Sequence, residues 1–119
     1  MMQLEQKEQK ALIKWFKLQY PKLANDIHHF ANERKCSPQL GSKLKQMGVI
    51  AGVSDLFLGI PTQRYAGLWI ELKVGAGKVS QAQQKFLSRK MEMGYLALSA
   101  WGFEAAKQII VTYLKDFKQ

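Results

Sequence analysis

Two short apolar runs in this chain carry charged side chains where a structural strand would carry hydrophobic ones. Residues 54–58 and 68–73 are each bounded by turn residues, which is typical of two neighbouring strands. Asp55 lies at the head of the first run, and Glu71 and Lys73 lie inside the second. Because such residues are depleted from strands, their presence here indicates a functional requirement.

Side chains alternate between the two faces of a strand, and in residues 68–73 this places the charged residues on one face and the core residues on the other. Successive residues of a strand face opposite sides of a sheet, so Glu71 and Lys73 share a face with Trp69, whereas the residues between them face a core. If the two strands pair as a hairpin, Asp55 and Glu71 converge into a two-carboxylate pocket with Lys73 beside it. Such a pocket binds a hard divalent cation. A structural interpretation stays open, in which Glu71 and Lys73 form a buried ion pair and Asp55 caps a turn.

The length and charge of the chain limit the classes of protein that it can form. Its 119 residues suffice for one compact domain, so we expect a single domain over residues 1–119. The sequence has no apolar run near the ~20 residues of a membrane span, no export signal and no second cysteine beside Cys36, which predicts a cytoplasmic protein without a membrane partner. A net charge of +9 serves solubility or favours a polyanionic partner such as nucleic acid.

Hydrophobic periodicity around the strand pair predicts four helices and two further strands. In chain order the elements run α-β-α-β-β-α-β-α, which predicts a mixed α/β fold with a central sheet of about four strands flanked by helices. The predicted helices span residues 3–19, 38–47, 81–93 and 103–118, and the predicted strands span residues 26–31, 54–58, 68–73 and 95–100.

The first predicted helix aligns an acidic residue with its apolar stripe. Glu5 lies in line with Leu12 and Phe16, so it is either frayed into solvent at the helix start or aimed at the interior. Glu8 is displaced from that line by most of a right angle and is the second choice. The opposite side of the helix is a solvated face or a phosphate-contacting surface, formed by Lys7, Lys10, Lys14 and Lys17.

Two further motifs allow both a structural and a functional interpretation. Ser80 and Gln83 have the spacing of a capping box, yet Gln83 also lies on the inward side of its helix and could face the pocket. His28 and His29 are adjacent, so in a strand they face opposite ways and cannot bind one metal ion together. We interpret them as structural or DNA-proximal histidines.

The acidic residues and the lysine form a recognisable signature. Asp55, fifteen intervening residues and then Glu71-Leu72-Lys73 resemble the PD-(D/E)XK nuclease signature, with Ser54 in place of its proline. The surrounding residues resemble the VRR-NUC (virus-type replication-repair nuclease) family, in the stand-alone form found in phages and prophages. The matching positions are residues 52–58, 67–73, 77–80 and 94–95, Gln83 and Phe86, Glu5 and Gln9 before Trp15, and Asn32 and Glu33 ahead of the second helix.

This resemblance implies a restriction-endonuclease-like core and a metal-dependent endonuclease that cuts branched or flapped DNA. The stand-alone members resemble Holliday junction resolvases that work as homodimers, so the expected partners are DNA and a second copy. The residue chemistry is suited to hydrolysis, with Asp55, Glu71 and the Leu72 carbonyl as ligands of Mg²⁺ or Mn²⁺. By resemblance, the site is completed by four further expectations: Glu5 approaches the metal, Lys73 holds or deprotonates the attacking water, Gln83 orients Lys73 or a phosphate oxygen, and DNA is contacted by Asn32, Arg34, Lys35 and Lys78.

Two other functions stay open at this point. One is a catalytically silent DNA-binding or packaging accessory of the same fold, which the presence of Asp55, Glu71 and Lys73 together argues against. The other is a flap or nicking nuclease. The chain is too short for an appended recognition domain, which favours specificity for DNA shape over sequence.

Overall fold

The order of helices and strands agrees with the order predicted from the sequence. The computed structural model describes residues 2–30, 37–48, 50 and 52–117. A 3₁₀ helix, Pro21–Asp26, which was not predicted, replaces the start of the first predicted strand. The elements are α1 Met2–Gln19, β1 Ile27–His29, α2 Pro38–Gln46, β2 Leu56–Leu58, β3 Leu68–Lys73, α3 Gln81–Glu92, β4 Leu96–Trp101 and α4 Phe103–Leu114.

The four strands form one open mixed sheet in the order β1-β2-β3-β4. β1 and β2 are antiparallel, and so are β2 and β3, which confirms the predicted hairpin. β3 and β4 are parallel, because the chain crosses over through α3 between them. This pairing places the end of β3 beside the start of β2, where the charged residues lie.

The two faces of β3 pack into different clusters, as the alternation predicts. Ile70 and Leu72 belong to the larger cluster, together with Leu12 and Phe16 of α1. On the other face, Trp69 packs against Leu87 of α3. Glu71 and Lys73 therefore lie on the α3 side of the sheet, and the main core lies on the α1 and α4 side.

The helix ends follow local chemistry where the residues that determine them are near in sequence. Ser37 caps α2 by accepting the Leu40 N–H at 3.1 Å, and the chain leaves the helix through Gly48 at φ 98°. The prediction that α4 extends to residue 118 is wrong. Its last N–H groups bond three residues back, as in the Phe117 N–H bond to the Leu114 carbonyl at 3.1 Å, so the chain tightens into turns after Leu114. Over the residues that the structure describes, every helix is too short or too polar to cross a membrane.

Candidate active site

Four residues lie side by side across the sheet on its α3 face. Extending the β2–β3 register by one residue sets Asp55 opposite Glu71, and the β3–β4 register pairs Glu71 with Ser99. On the other side of Asp55, its carbonyl accepts the Phe30 N–H at 2.8 Å, which continues the β1–β2 ladder. We refer to Phe30, Asp55, Glu71 and Ser99 as the central row. The predicted convergence of the two carboxylates follows directly from this pairing.

Burial makes the carboxylates of the central row costly unless they have partners. Asp55 is 3% exposed and Glu71 is 0% exposed, and a buried ionised carboxylate is stable only when it is paired or hydrogen-bonded. The Leu72 N–H donates to Asp55 Oδ2 at 2.9 Å. Lys73 Nζ lies 3.7 Å from Glu71 Oε2. The two buried carboxylates bring their oxygen atoms together beside Lys73, and carboxylate oxygens are ligands that a hard divalent cation prefers.

Gln83 is both a helix cap and a site residue, so the two interpretations of its motif hold together. Its backbone N–H donates to Ser80 Oγ at 3.1 Å, and its side-chain Oε1 accepts the Ser80 N–H at 2.8 Å. The remaining amide nitrogen, Nε2, donates to Glu71 Oε2 at 3.2 Å. The expected contact of Gln83 was with Lys73 or a phosphate, whereas the structure places its amide on Glu71.

Lys73 is held by the loop and strand that follow it. A Cβ built on Gly77 would lie 3.6 Å from Lys73 Cδ and 3.1 Å from the Val74 carbonyl, so glycine lets this loop close over the lysine stem. The Trp101 Nε1–H donates to the Gly77 carbonyl at 2.8 Å and fixes the loop. The Lys73 carbonyl accepts the Gly102 N–H at 2.8 Å. The side chain thus approaches Glu71 from a restrained backbone.

Comparison with known proteins agrees with this geometry. The family model of the VRR-NUC domain matches residues 3–103. The chain belongs to the VRR-NUC family. A solved structure described as a VRR_NUC domain protein superposes with a TM-score of 0.83 at 33% identity, over 97% of this chain and 91% of that one. No curated protein matched the sequence.

Membership of the VRR-NUC family implies a nuclease of the PD-(D/E)XK type that acts on DNA. The signature residues Asp55, Glu71 and Lys73 then correspond to the buried triad at the end of β3. Ser54, which stands where the signature has proline, is fully buried directly before Asp55.

The two acidic residues of α1 differ in their surroundings. Glu8 Oε1 accepts the Phe103 N–H at 3.2 Å, so it caps the first turn of α4. Glu5 lies one turn earlier and is half-buried. This leaves Glu5 as the candidate for the acid that the VRR-NUC resemblance places near a metal, and its approach to that metal stays a prediction.

The oxygen atoms at the end of β3 fit a hard divalent cation. The N–H and C=O of one strand residue point toward the same neighbouring strand, so the Leu72 carbonyl faces the side on which its N–H meets Asp55. Carboxylate and carbonyl oxygens are ligands that Mg²⁺ and Mn²⁺ prefer. Across the described ranges no three His, Cys, Asp or Glu side chains gather to hold an ion. Water would therefore supply the remaining ligands, as is usual for Mg²⁺.

Of the predicted DNA contacts, Lys78 is exposed in the loop before α3. Asn32, Arg34 and Lys35 lie outside the described residues. The lysine stripe of α1 is exposed, which is compatible with both interpretations given for it: Lys7, Lys10, Lys14 and Lys17.

Strand β1 brings two residues to the site that sequence reasoning did not place there. His29 Nδ1 lies 3.0 Å from the Asp55 main-chain carbonyl, which supports the structural interpretation of this histidine. Phe30 joins the central row through the same carbonyl. Neither residue could be placed from a local pattern, because both reach Asp55 only through the pairing of β1 with β2.

Proposed function

We propose that this chain is a metal-dependent endonuclease that hydrolyses phosphodiester bonds in branched DNA, in the manner of a Holliday junction resolvase. The observation that carries the proposal is the buried triad in which Asp55 and Glu71 face each other across β2 and β3 with Lys73 3.7 Å from Glu71. Carboxylate oxygens gathered in one buried place are suited to bind a divalent cation, and a lysine beside them can contact a phosphate or the attacking water.

The protein groups around the triad have complementary tasks. Asp55, Glu71 and the Leu72 carbonyl would hold Mg²⁺ or Mn²⁺, which supplies Lewis-acid polarisation of the phosphate and acidifies bound water. The Leu72 N–H and the Gln83 amide fix one oxygen of each carboxylate, so the carboxylates need not reorganise during the reaction. Lys73 holds or deprotonates the attacking water, and its positive charge stabilises the negative charge that develops on phosphorus oxygens.

Contact with a DNA substrate is supported by the charge of the chain. A net charge of +9 favours contact with several phosphates, and such contacts position DNA without reading its sequence. Substrate choice then depends on DNA shape.

Cleavage of labelled substrates tests the proposal. Purified protein is incubated with a four-way junction, a flap and a linear duplex, with Mg²⁺, Mn²⁺ or EDTA. We expect junction or flap cleavage that needs metal, and a fall on the order of 10³-fold in Asp55→Asn, which corresponds to roughly 4 kcal/mol of transition-state stabilisation. Asp55→Asn retains an oxygen for the Leu72 N–H, so its fold is preserved.

Asp116→Ala is the matched control, because Asp116 is an exposed acid on the opposite side of the sheet, near Tyr113. Equal cleavage by wild type and Asp55→Asn, or no cleavage of any substrate, would overturn the proposal. The relative rates on junction and flap decide between a resolvase and a flap nuclease.

We further propose that the active form is a homodimer. A four-way junction has approximate two-fold symmetry, and paired cuts need two active sites, so a C2 dimer satisfies both requirements.

A further inference from the structure

Phe30 is an exposed aromatic residue directly beside a catalytic carboxylate. Its N–H donates to the Asp55 carbonyl, and in the β1–β2 register it follows the pair formed by His28 and Phe57 by two residues. Its ring therefore lies on the same face of the sheet as Asp55 and Glu71. Neighbouring strands are about 4.8 Å apart. A nucleotide whose phosphate lies at the carboxylates can therefore place its own base, or that of its neighbour, near the ring.

The ring of Phe30 is the outer member of an aromatic stack. It stacks on Trp69 with ring centroids 5.6 Å apart and planes 27° apart, and Trp69 in turn contacts Phe57 at 4.3 Å. Trp69 is 9% exposed, whereas Phe30 remains 39% exposed. The Phe30 ring therefore keeps exposed surface while it is stacked on Trp69. A further planar ring can continue this stack.

The surroundings of the stack favour a nucleotide over an apolar protein surface. α3 packs on β3 and β4, and the stack extends from beneath it toward the edge strand β1. Lys90 Nζ lies 5.4 Å from the Trp69 ring centroid, which adds positive charge to the same side of the sheet. Exposed aromatic rings beside positive charge are the elements with which proteins bind single-stranded nucleic acid.

We propose that Phe30 stacks on the base of an unpaired nucleotide next to the phosphate that Asp55 and Glu71 would bind through a metal ion. In a duplex both faces of each base are covered by neighbouring base pairs, whereas a base at a branch or in a flap has a free face. Phe30 thereby favours DNA in which a base at the branch or in a flap has a free face over a linear duplex. This inference rests on the proposed function, because the phosphate backbone must pass over the carboxylates for the base to reach Phe30.

The test couples removal of the ring to removal of the base. Binding of a flap DNA is measured by fluorescence anisotropy with Ca²⁺ in place of Mg²⁺, so that carboxylate and phosphate oxygens can share a cation without cleavage. An abasic nucleotide is placed at each unpaired position in turn. At one position near the branch, the abasic change is expected to weaken binding to wild type about tenfold. Phe30→Trp is expected to behave as wild type. Phe30→Ala and Phe30→Leu are expected to bind the intact flap about tenfold more weakly and to be insensitive to the abasic change.

Phe30→Leu separates stacking from apolar packing, because leucine retains contact with Trp69 but has no π-face. Leu18→Ala is the surface control, since Leu18 is 74% exposed on α1. Melting temperatures confirm that each variant is folded. An abasic effect as large in Phe30→Ala as in wild type, or none at any position in wild type, would overturn the inference.

Cleavage by wild type in Mg²⁺ is recorded separately. If wild type cleaves DNA with metal but the abasic change weakens binding equally in wild type and in Phe30→Ala, only this inference fails. If the abasic change weakens binding to wild type but not to Phe30→Ala, and no substrate is cleaved, the proposed function fails and Phe30 is still a base-binding residue.

Discussion

A side-chain amide has a donor end and an acceptor end, and Gln83 uses each for a different part of the molecule. Its oxygen accepts the Ser80 N–H at the start of α3, which leaves its nitrogen directed at Glu71. Reversing the amide would place two N–H groups against each other at Ser80. The capping box therefore determines which end of the Gln83 amide meets Glu71.

Two substitutions in this capping box separate its two effects. Gln83→Ala and Ser80→Ala each remove one capping hydrogen bond and are expected to lower the free energy of unfolding by about 1 kcal/mol. Gln83→Ala also removes a donor to Glu71, worth roughly 1.5–3 kcal/mol for a charged group, so its cleavage rate is expected to fall about ten- to a hundredfold. Thermal unfolding and single-turnover cleavage give the two quantities. An equal loss of cleavage in Ser80→Ala would show that fraying of α3 causes the effect.

For individual residues, the sequence predicts those positions in the site that depend on spacing along one strand. Glu71 and Lys73 were placed on one face by alternation alone, and Asp55 was joined to them by the hairpin. His29 and Phe30 were not placed at the site, because their approach to Asp55 depends on which strand pairs with the free edge of β2. That pairing joins residues more than twenty positions apart, and local patterns do not specify it.

At the scale of elements, the start of α4 depends on a side chain from α1. Gly102 precedes α4 at φ 89°, a conformation that favours glycine, and glycine has no side chain with which to cap a helix. Glu8 supplies the missing acceptor to the Phe103 N–H. Its negative charge also lies at the positive end of the α4 dipole.

Substitutions at the two acids of α1 should therefore have different effects. Glu8→Ala is expected to lower stability by about 1 kcal/mol, whereas Glu8→Gln keeps an acceptor oxygen and loses roughly 0.3–1 kcal/mol of charge–dipole interaction. Neither is expected to change cleavage. Glu5→Gln is expected to reduce cleavage, because Glu5 remains the candidate acid for the metal. Denaturant unfolding and cleavage assays check these values, and a reversed pattern would assign the catalytic acid to Glu8.

The elements that the sequence predicted well are those whose ends are marked locally. The caps at Ser37 and Ser80 marked the starts of α2 and α3 correctly. The 3₁₀ helix Pro21–Asp26 was missed, since a run of six residues is too short to show a helical period. The end of α4 was placed too late because Phe117 continues the apolar stripe after the backbone has left the helix.

At the scale of the molecule, one tyrosine links stability to pH. Tyr113 of α4 donates its hydroxyl to the Ile60 carbonyl at 2.7 Å, and burial raises the pKa of Tyr113 from 10.0 to about 12. The folded protein therefore favours the neutral phenol. This contribution to stability is complete below pH 10 and is lost as the pH rises through 12.

We expect the free energy of unfolding to decline between pH 10 and 12 by up to about 2–3 kcal/mol in wild type, relative to Tyr113→Phe. Phenylalanine cannot ionise, and it loses about 1 kcal/mol at neutral pH with the hydrogen bond to Ile60. Chemical denaturation across this pH range gives both curves. Curves that run parallel from pH 8 to 12 would contradict the prediction.

The proposed homodimer predicts both the mass of the protein in solution and the number of strands that it cuts in a junction. Light scattering is expected to give twice the 13.6 kDa of one chain. When wild type is mixed with excess Asp55→Asn, most wild-type chains pair with an inactive partner, so we expect junctions nicked on one strand in place of junctions cut on both. The control is wild type diluted with buffer alone. Unchanged double cutting in the mixture, or a monomer mass with full activity, would exclude the dimer.

The strand order of the sheet is the same as the order of the strands in the chain, and this affects how the molecule folds. Each strand pairs with its predecessor, and the contact that orients Asp55 spans only 17 residues to Leu72. The hydrogen bond from Phe103 to Glu8 spans 95 residues. Since closing a longer loop costs more entropy, we expect the hairpin that carries the carboxylates to form before α1 joins α4.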